Sequence, residues 1–557
     1  MTMKKISIVF LLIVTLANVA ISQQYYKGWH LGDLDSNAVY GTSTEKAYKE
    51  LIKSTQPRKK IIVAVIDSGI DTVHEDLKPV LWVNKREIPN NGIDDDKNGY
   101  KDDVHGWNFI GGKDGRNVGK DSYEGARIYY QLKKVFGTDS INEKSLDEEK
   151  AAQYRLYKKV TSVLESQAKE ASMYVMILKD IVAKIPAADS LIKIAISKSS
   201  YTGDELQNFK TNDPQVSKAR ATMLGIFQQT RQMESTNQTL IAELMQFYEG
   251  EKSKVDALEN EPPQYRHEIV KDNYDDPNDK YYGNNDVMGT DASHGTHVAG
   301  IIGAVRGNEK GMEGIANHVQ IMPIRAVPDG DEHDKDIANA IRYAVDNGAL
   351  VVNMSFGKSF SPQKKWVDEA VKYAESKGVL LVHAAGNDAK NIDVEDNFPS
   401  RNFNNDTLKV FSNWITVGAS GAVANEIAAS FSNYGKREVN VFAPGVKIYS
   451  TIPGGNTYGD KDGTSMAAPV VTGIAALLLS YYPDLSPKQL IEILEKSARK
   501  IDASFPKPGT DEKVMLSELS ISGAVVNTYE AFKMASTLKG ERKPAAPLHA
   551  PMKKKKS

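Results

Sequence analysis

The chain contains no cysteine. That absence excludes disulfides, thiolate metal sites, a cysteine nucleophile and a lipid-modified N-terminal cysteine. An excess of either charge is also missing: 70 Lys and Arg stand against 72 Asp and Glu, for a formal net charge of −2. Such a balance gives no electrostatic footprint for a nucleic-acid partner, and none is expected. The apolar run at 6–14 is too short to span a bilayer, which takes about 20 apolar residues. Asn18 follows soon after it. With Lys4 and Lys5 before the run and Ala20-Ile21-Ser22 before Gln23, residues 1–22 read as a cleaved export signal rather than a membrane anchor. The expected location is secreted or periplasmic, with no stable membrane span after cleavage.

What remains is ordinary for a globular protein, 41% hydrophobic and 25% charged over 557 residues. After a polar N-terminal segment (23–57) with a short helix expected at 43–53, the β-branched run 61–66 ends in Asp67-Ser68-Gly69. A fully apolar strand suits a parallel sheet covered on both faces. An acidic residue at its C-terminal end stands where open α/β sheets place their chemistry. Taken alone, Asp67 is as well explained as a turn or cap residue.

The next motif is Asn90-Asn91-Gly92-Ile93-Asp94-Asp95-Asp96-Lys97-Asn98-Gly99-Tyr100-Lys101-Asp102-Asp103. Oxygen side chains at alternate positions around a glycine turn are what a hard cation such as Ca2+ requires. His105 stands where an EF-hand has its closing Glu, and Pro89 argues against a flanking helix. The expectation is therefore a structural Ca2+ turn of another kind. Its candidate ligands are Asp94, Asp96, Asn98, the Tyr100 carbonyl and Asp102 or Asp103; the alternative is a solvated acidic turn.

From 118 to 269 the texture changes to a helical insertion. Leu156, Val160, Val163, Gln167, Ala171, Tyr174, Leu178 and Ile181 recur at three- and four-residue steps. Pro186 is expected to end or kink that helix, with shorter pieces at 189–198 and 203–209. A second stretch covers 215–258, broken near 233–237. Strands and helices then alternate regularly: strands at 319–325, 350–354, 379–384, 414–418 and 439–442, helices at 335–346, 362–377, 487–499 and 527–535. This order predicts an α/β fold, a three-layer, doubly wound, mainly parallel sheet. Residues 536–557, with prolines and the run Lys553 to Lys556, read as a disordered basic tail.

Two further motifs carry chemistry. Asp291-Ala292-Ser293-His294-Gly295-Thr296-His297 opens a helix. Gly463-Thr464-Ser465-Met466-Ala467-Ala468-Pro469 puts Ser465 at the start of the apolar run 470–479, where unpaired helix N–H groups favour developing negative charge. Serine is also an ordinary N-cap. The sequence around Asp67, His294-Gly295-Thr296-His297-Val298-Ala299-Gly300, the Gly463 to Pro469 motif and Ala384-Ala385-Gly386-Asn387 together resemble the subtilisin-like serine peptidases, in the order Asp, His, Ser. The resemblance covers about 58–117 and 270–535, the parts of a discontinuous catalytic domain. It implies Ser465 as nucleophile, His294 as the base, Asp67 as its orienter, and Asn387 with the Ser465 N–H holding the oxyanion. It also implies that Ser355, Phe356 and Gly357, with Ala384, Ala385 and Gly386, bind the substrate backbone and wall its first pocket. His297 is expected to pack within its helix. No cofactor is expected for catalysis, and polypeptides are the expected substrates. Lys358, where many relatives keep a glycine, and the short loop 306–314 depart from the family pattern.

Overall fold

The computed structural model describes residues 26–542 apart from 54, 138–140, 231 and 407. The expected signal, 1–22, and the lysine run of the tail lie outside the described residues. The described chain divides into two compact units, one from residues up to Lys120 together with Tyr265 onward, the other Asp121–Gln264.

The first unit is built on a nine-stranded sheet. Its strands are β1 (Ile61–Asp67), β2 (Trp107–Asn108), β3 (Val319–Arg325), β4 (Val351–Met354), β5 (Leu380–Ala384), β6 (Trp414–Ser420) and β7 (Val441–Pro444). A separate hairpin joins β8 (Ile448–Ile452) to β9 (Thr457–Lys461), and β11 (Phe505–Pro506) pairs β12 (Lys513–Val514). With β10 (Arg499–Lys500) and β13 (Ala524–Val525), the sheet order is β10-β13-β7-β6-β5-β4-β1-β3-β2. Only the β10–β13 pair is antiparallel. The sheet is α/β, mainly parallel and covered on both faces.

Alternation along β1 shows the layering. Ile61, Val63 and Val65 enter one core with the helices Ser293–Gly303 and Thr464–Tyr481, while Ala64 and Ile66 enter the other with Asp334–Asp346 and Lys364–Ser376. Thr464–Tyr481 is apolar and long enough to cross a membrane, yet it is 94% buried inside the unit as its central helix. β1 lies between β3 and β4, where the winding changes direction, so the carboxyl end of β1 opens at a switch point. Asp67 is that end.

Segment 28–53 is part of this core. Trp29 is fully buried and donates to the Val446 carbonyl at 3.1 Å. Thr44 bonds Thr528 side chain to side chain at 2.8 Å.

The second unit is helical: Glu124–Phe136, Glu148–Ile196, Gly203–Asn208, Pro214–Gln229 and Asn237–Glu259. Of the two expected effects, ending or kinking the helix, the first does not occur: Glu148–Ile196 continues for 49 residues with Pro186 inside it. Ile185, Ala188 and Ile192 on both sides of the proline are buried with Met223, Phe227 and Leu240, and Pro186 itself is exposed. Packing therefore carries the helix past the proline while water can solvate the carbonyl that the proline leaves unbonded.

Two boundaries also differ from expectation. The helix Tyr265–Val270 belongs to the first unit, because its buried Arg266 pairs with Asp336 at 2.6 Å and Asp272 at 2.6 Å. The tail is not free from 536: the Lys539 carbonyl accepts from Gln489 at 2.8 Å, and Arg542 donates to the carbonyls of Leu485 and Gly378 at 3.0 and 2.5 Å.

Candidate active site

Asp67 is 2% exposed at the end of β1. Its Oδ1 accepts from the Ser68 N–H at 2.8 Å and faces His294 Nδ1 at 2.8 Å. A proton on Nδ1 completes that bond, which leaves Nε2 as the acceptor turned away from the carboxylate. The approach depends on Gly295: a Cβ there would lie 2.2 Å from the Gly69 carbonyl oxygen and 3.1 Å from Asp67 Oδ1. His297, one turn along, is buried and bonds the Gly459 carbonyl through Nε2 at 3.0 Å. Burial pushes it down to about 3, so it stays neutral, as a packing role requires.

Ser465 is the second residue of Thr464–Tyr481 and half-buried. Pro469, four residues on, has no N–H to give the Ser465 carbonyl. That carbonyl accepts instead from Ser355 Oγ at 3.0 Å. Ser355 Oγ in turn accepts from Asn353 at 2.9 Å, and Asn353 Oδ1 from Thr472 at 2.9 Å. The missing helix bond thus ties the serine helix to the strip that follows β4. Ser465 Oγ donates to the Ser355 carbonyl at 3.2 Å rather than to His294; a serine hydroxyl turns about one bond, and such contacts tighten when substrate binds.

Asn387 follows β5 on Ala384-Ala385-Gly386. Its Oδ1 accepts both the N–H and the hydroxyl of Thr464, each at 2.9 Å, which fixes the amide and leaves Nδ2 free to point outward. Gly463 has φ +147°, and a Cβ on it would sit 3.4 Å from Asn387 Nδ2 and 3.5 Å from the Ser465 nitrogen. A side chain at 463 would therefore fill the small space that both donors border. Those two distances are ordinary contacts, so glycine is required at 463 by its φ rather than by lack of room.

The strip Ser355 to Gly357 is held from below. Buried His383 bonds the Phe356 carbonyl through Nε2 at 2.8 Å, and burial pushes it down to about 4. Lys358 does not reach solvent. Its ammonium lies 2.8 Å from Asp334 and 2.8 Å from the Glu332 carbonyl, and its backbone pairs both ways with Phe398 at 2.9 Å. The departure from glycine at 358 is an internal anchor.

In the acidic turn, the carboxylate oxygens of Glu87, Asp94 and Asp96 lie within 4.8 Å of one another. Glu87 was not among the sequence candidates; it lies upstream of the motif and arrives because its Oε1 accepts the Asp95 and Asp96 N–H groups. Asp102 is turned to the Asn91 and Gly92 N–H groups. Asp103, buried and pushed up to about 6 by desolvation, accepts from Tyr343, Asn84 and Asn98. The Asn98 Oδ1 accepts the Tyr100 N–H, and the Tyr100 ring packs edge-on against Trp107 and Tyr343. The structure therefore gathers Asp94 and Asp96 but gives Asp102 and Asp103 other partners. Near the short 306–314 loop, Asp76 accepts from Asn308 at 2.5 Å and Tyr458 at 2.8 Å, and Lys310 pairs with Glu75.

Comparison with known proteins agrees with this geometry. Over 213 residues, 38% of this chain, it is 40% identical to the thermophilic serine proteinase of Bacillus sp. (strain AK1), spanning 48% of that protein. It is 40% identical to subtilisin DY of Bacillus licheniformis over 38% of this chain and 72% of that one. Thermitase of Thermoactinomyces vulgaris is 36% identical over 42% of this chain and 80% of its own. A sequence model of the subtilase family matches residues 58–518. The chain belongs to the subtilase family and is a serine endopeptidase.

Proposed function

We propose that the protein is an exported endopeptidase that cleaves polypeptides through an acyl-enzyme on Ser465. The observation that carries this is that Asn387 Nδ2 and the Ser465 nitrogen border one small space, while Asp67 and His294 are hydrogen-bonded to each other in the same unit. Ser465 Oγ adds to the scissile carbonyl carbon as its proton passes to His294 Nε2. Asp67 stabilises the imidazolium, and the oxyanion takes hydrogen bonds from Asn387 Nδ2 and the Ser465 N–H. His294 then gives its proton to the leaving amine. Water, deprotonated by the same nitrogen, releases the acyl group and restores Ser465. The Ser355 to Gly357 strip and Ala384 to Gly386 flank the bound chain.

A structural Ca2+ is part of the same proposal. Glu87, Asp94 and Asp96 form an all-oxygen set that suits a hard cation, although Arg86 shares Asp96 at 2.9 Å. It would brace the turn and take no part in bond cleavage. Export rests on Lys4, Lys5, the run 6–14 and the small residues before Gln23. The test is hydrolysis of an unstructured protein such as casein by the secreted fraction. Wild type cleaves it, and Ser465→Ala and His294→Ala do not; cleavage that persists in either variant overturns the assignment.

A further inference from the structure

Arg325 is the in-register neighbour of Asp67 in the β1–β3 pair, so the two side chains leave the sheet on the same face. It is 1% exposed. Its guanidinium donates to the Ser68 carbonyl at 2.8 Å, Asn108 Oδ1 at 3.2 Å and the Val118 carbonyl at 2.5 Å. All three are neutral oxygens. Burial lowers it to about 10, which leaves it charged at neutral pH, and Asp286 and Asp291 support that charge from farther away. Gly289 makes room for it: a Cβ there would lie 2.1 Å from Arg325 Nε, and φ is +65°.

One strand away is a complementary deficit. Among the described residues, Asp67 Oδ2 is buried with no hydrogen-bond partner. A buried carboxylate with an unsatisfied oxygen and a buried guanidinium without a carboxylate are each costly alone. We propose that Arg325 is a positioning residue for the Asp67–His294 pair, fixing the Ser68 turn that holds the buried carboxylate. The Ser68 N–H that it helps aim is the one bonded to Asp67 Oδ1.

The inference rests on the triad reading above, and the experiment separates the two. Values of kcat and KM on a peptide substrate are measured for wild type, Arg325→Met, Arg325→Gln and Arg325→Lys, with Ser465→Ala as the blank and thermal melting as the fold check. The neutral variants are expected to lower kcat by roughly tenfold or more with KM unchanged, because Asp67 and the imidazole it orients are no longer held in register, and Arg325→Lys, which keeps a donor for the Ser68 carbonyl, to recover most of the loss. An unchanged kcat in a folded neutral variant, an equal loss in Arg325→Lys, or loss of folding in both neutral variants overturns the proposal and makes Arg325 a structural tie. Activity in Ser465→Ala would instead sink the triad reading itself.

Discussion

His30 offers a clean measurement of how acid loosens this protein. The ring is 1% exposed in segment 28–53, and among the described residues neither nitrogen has a hydrogen-bond partner. Burial first, and the Arg306 charge second, push it down from 6.5 to about 3. A depressed histidine is neutral in the folded chain and takes up a proton on unfolding. Its contribution is thus complete above about pH 6.5 and is lost as pH falls from there toward about 3. Each pH unit in that window costs about 1.4 kcal/mol, so by about pH 5 this one residue removes ~2 kcal/mol. His297 and His383 act in the same direction, whereas Asp103 and Glu332, pushed up to about 6 and about 8, act in the opposite one. The net curve is therefore a poor test, and the difference between two proteins is a good one. His30→Leu and wild type are unfolded in urea between about pH 7.5 and pH 5, and the two stabilities are subtracted. The gap is expected to shift toward the variant by ~2 kcal/mol across that range. Parallel curves would refute the reasoning.

Three other outcomes follow from the site. Asn387→Ala should lower kcat on the order of 100- to 1,000-fold with little change in KM, a magnitude that comes from a subtilisin; steady-state kinetics on a peptide substrate check it. Lys358→Met should destabilise by about 3–5 kcal/mol because Asp334 is left charged and unpaired, and adding Asp334→Leu should recover much of it; denaturant melts of the single and double variants decide. If Ca2+ sits on Glu87, Asp94 and Asp96, saturating it at about 100 times its Kd should add about 2.7 kcal/mol and raise Tm by several degrees. EDTA should reverse the shift, and Glu87→Gln with Asp94→Asn should abolish it.

How much of this was legible in the sequence varies with the physics of each part. Strands buried on both faces announce themselves, and β1 and β3 begin within a residue of where the apolar runs place them. The central helix is equally plain, since an uninterrupted apolar stretch can only be buried. The hairpin β8–β9 was not anticipated, although Pro453-Gly454-Gly455-Asn456 between two five-residue strands was the available signal. Pro186 misleads because local propensity says nothing about packing on both sides of it. The docked 537–542 segment is invisible to composition, as its bonds come from Gln489 and Arg542 across long separations. Asp67, His294, Asn387 and Ser465 stood out because each sits in a local sequence pattern. Glu87, His383, Lys358 and Arg325 serve through contacts that only the fold creates, and residue type alone carries no hint of them.

The central claim is that Ser465 is the nucleophile activated by His294. The direct test is reaction with a fluorophosphonate followed by mass spectrometry of the labelled peptide. One label is expected, on Ser465 in the peptide spanning Gly463 to Pro469, and it should vanish in His294→Ala as well as in Ser465→Ala. A label on any other residue, or undiminished labelling without His294, would contradict the account.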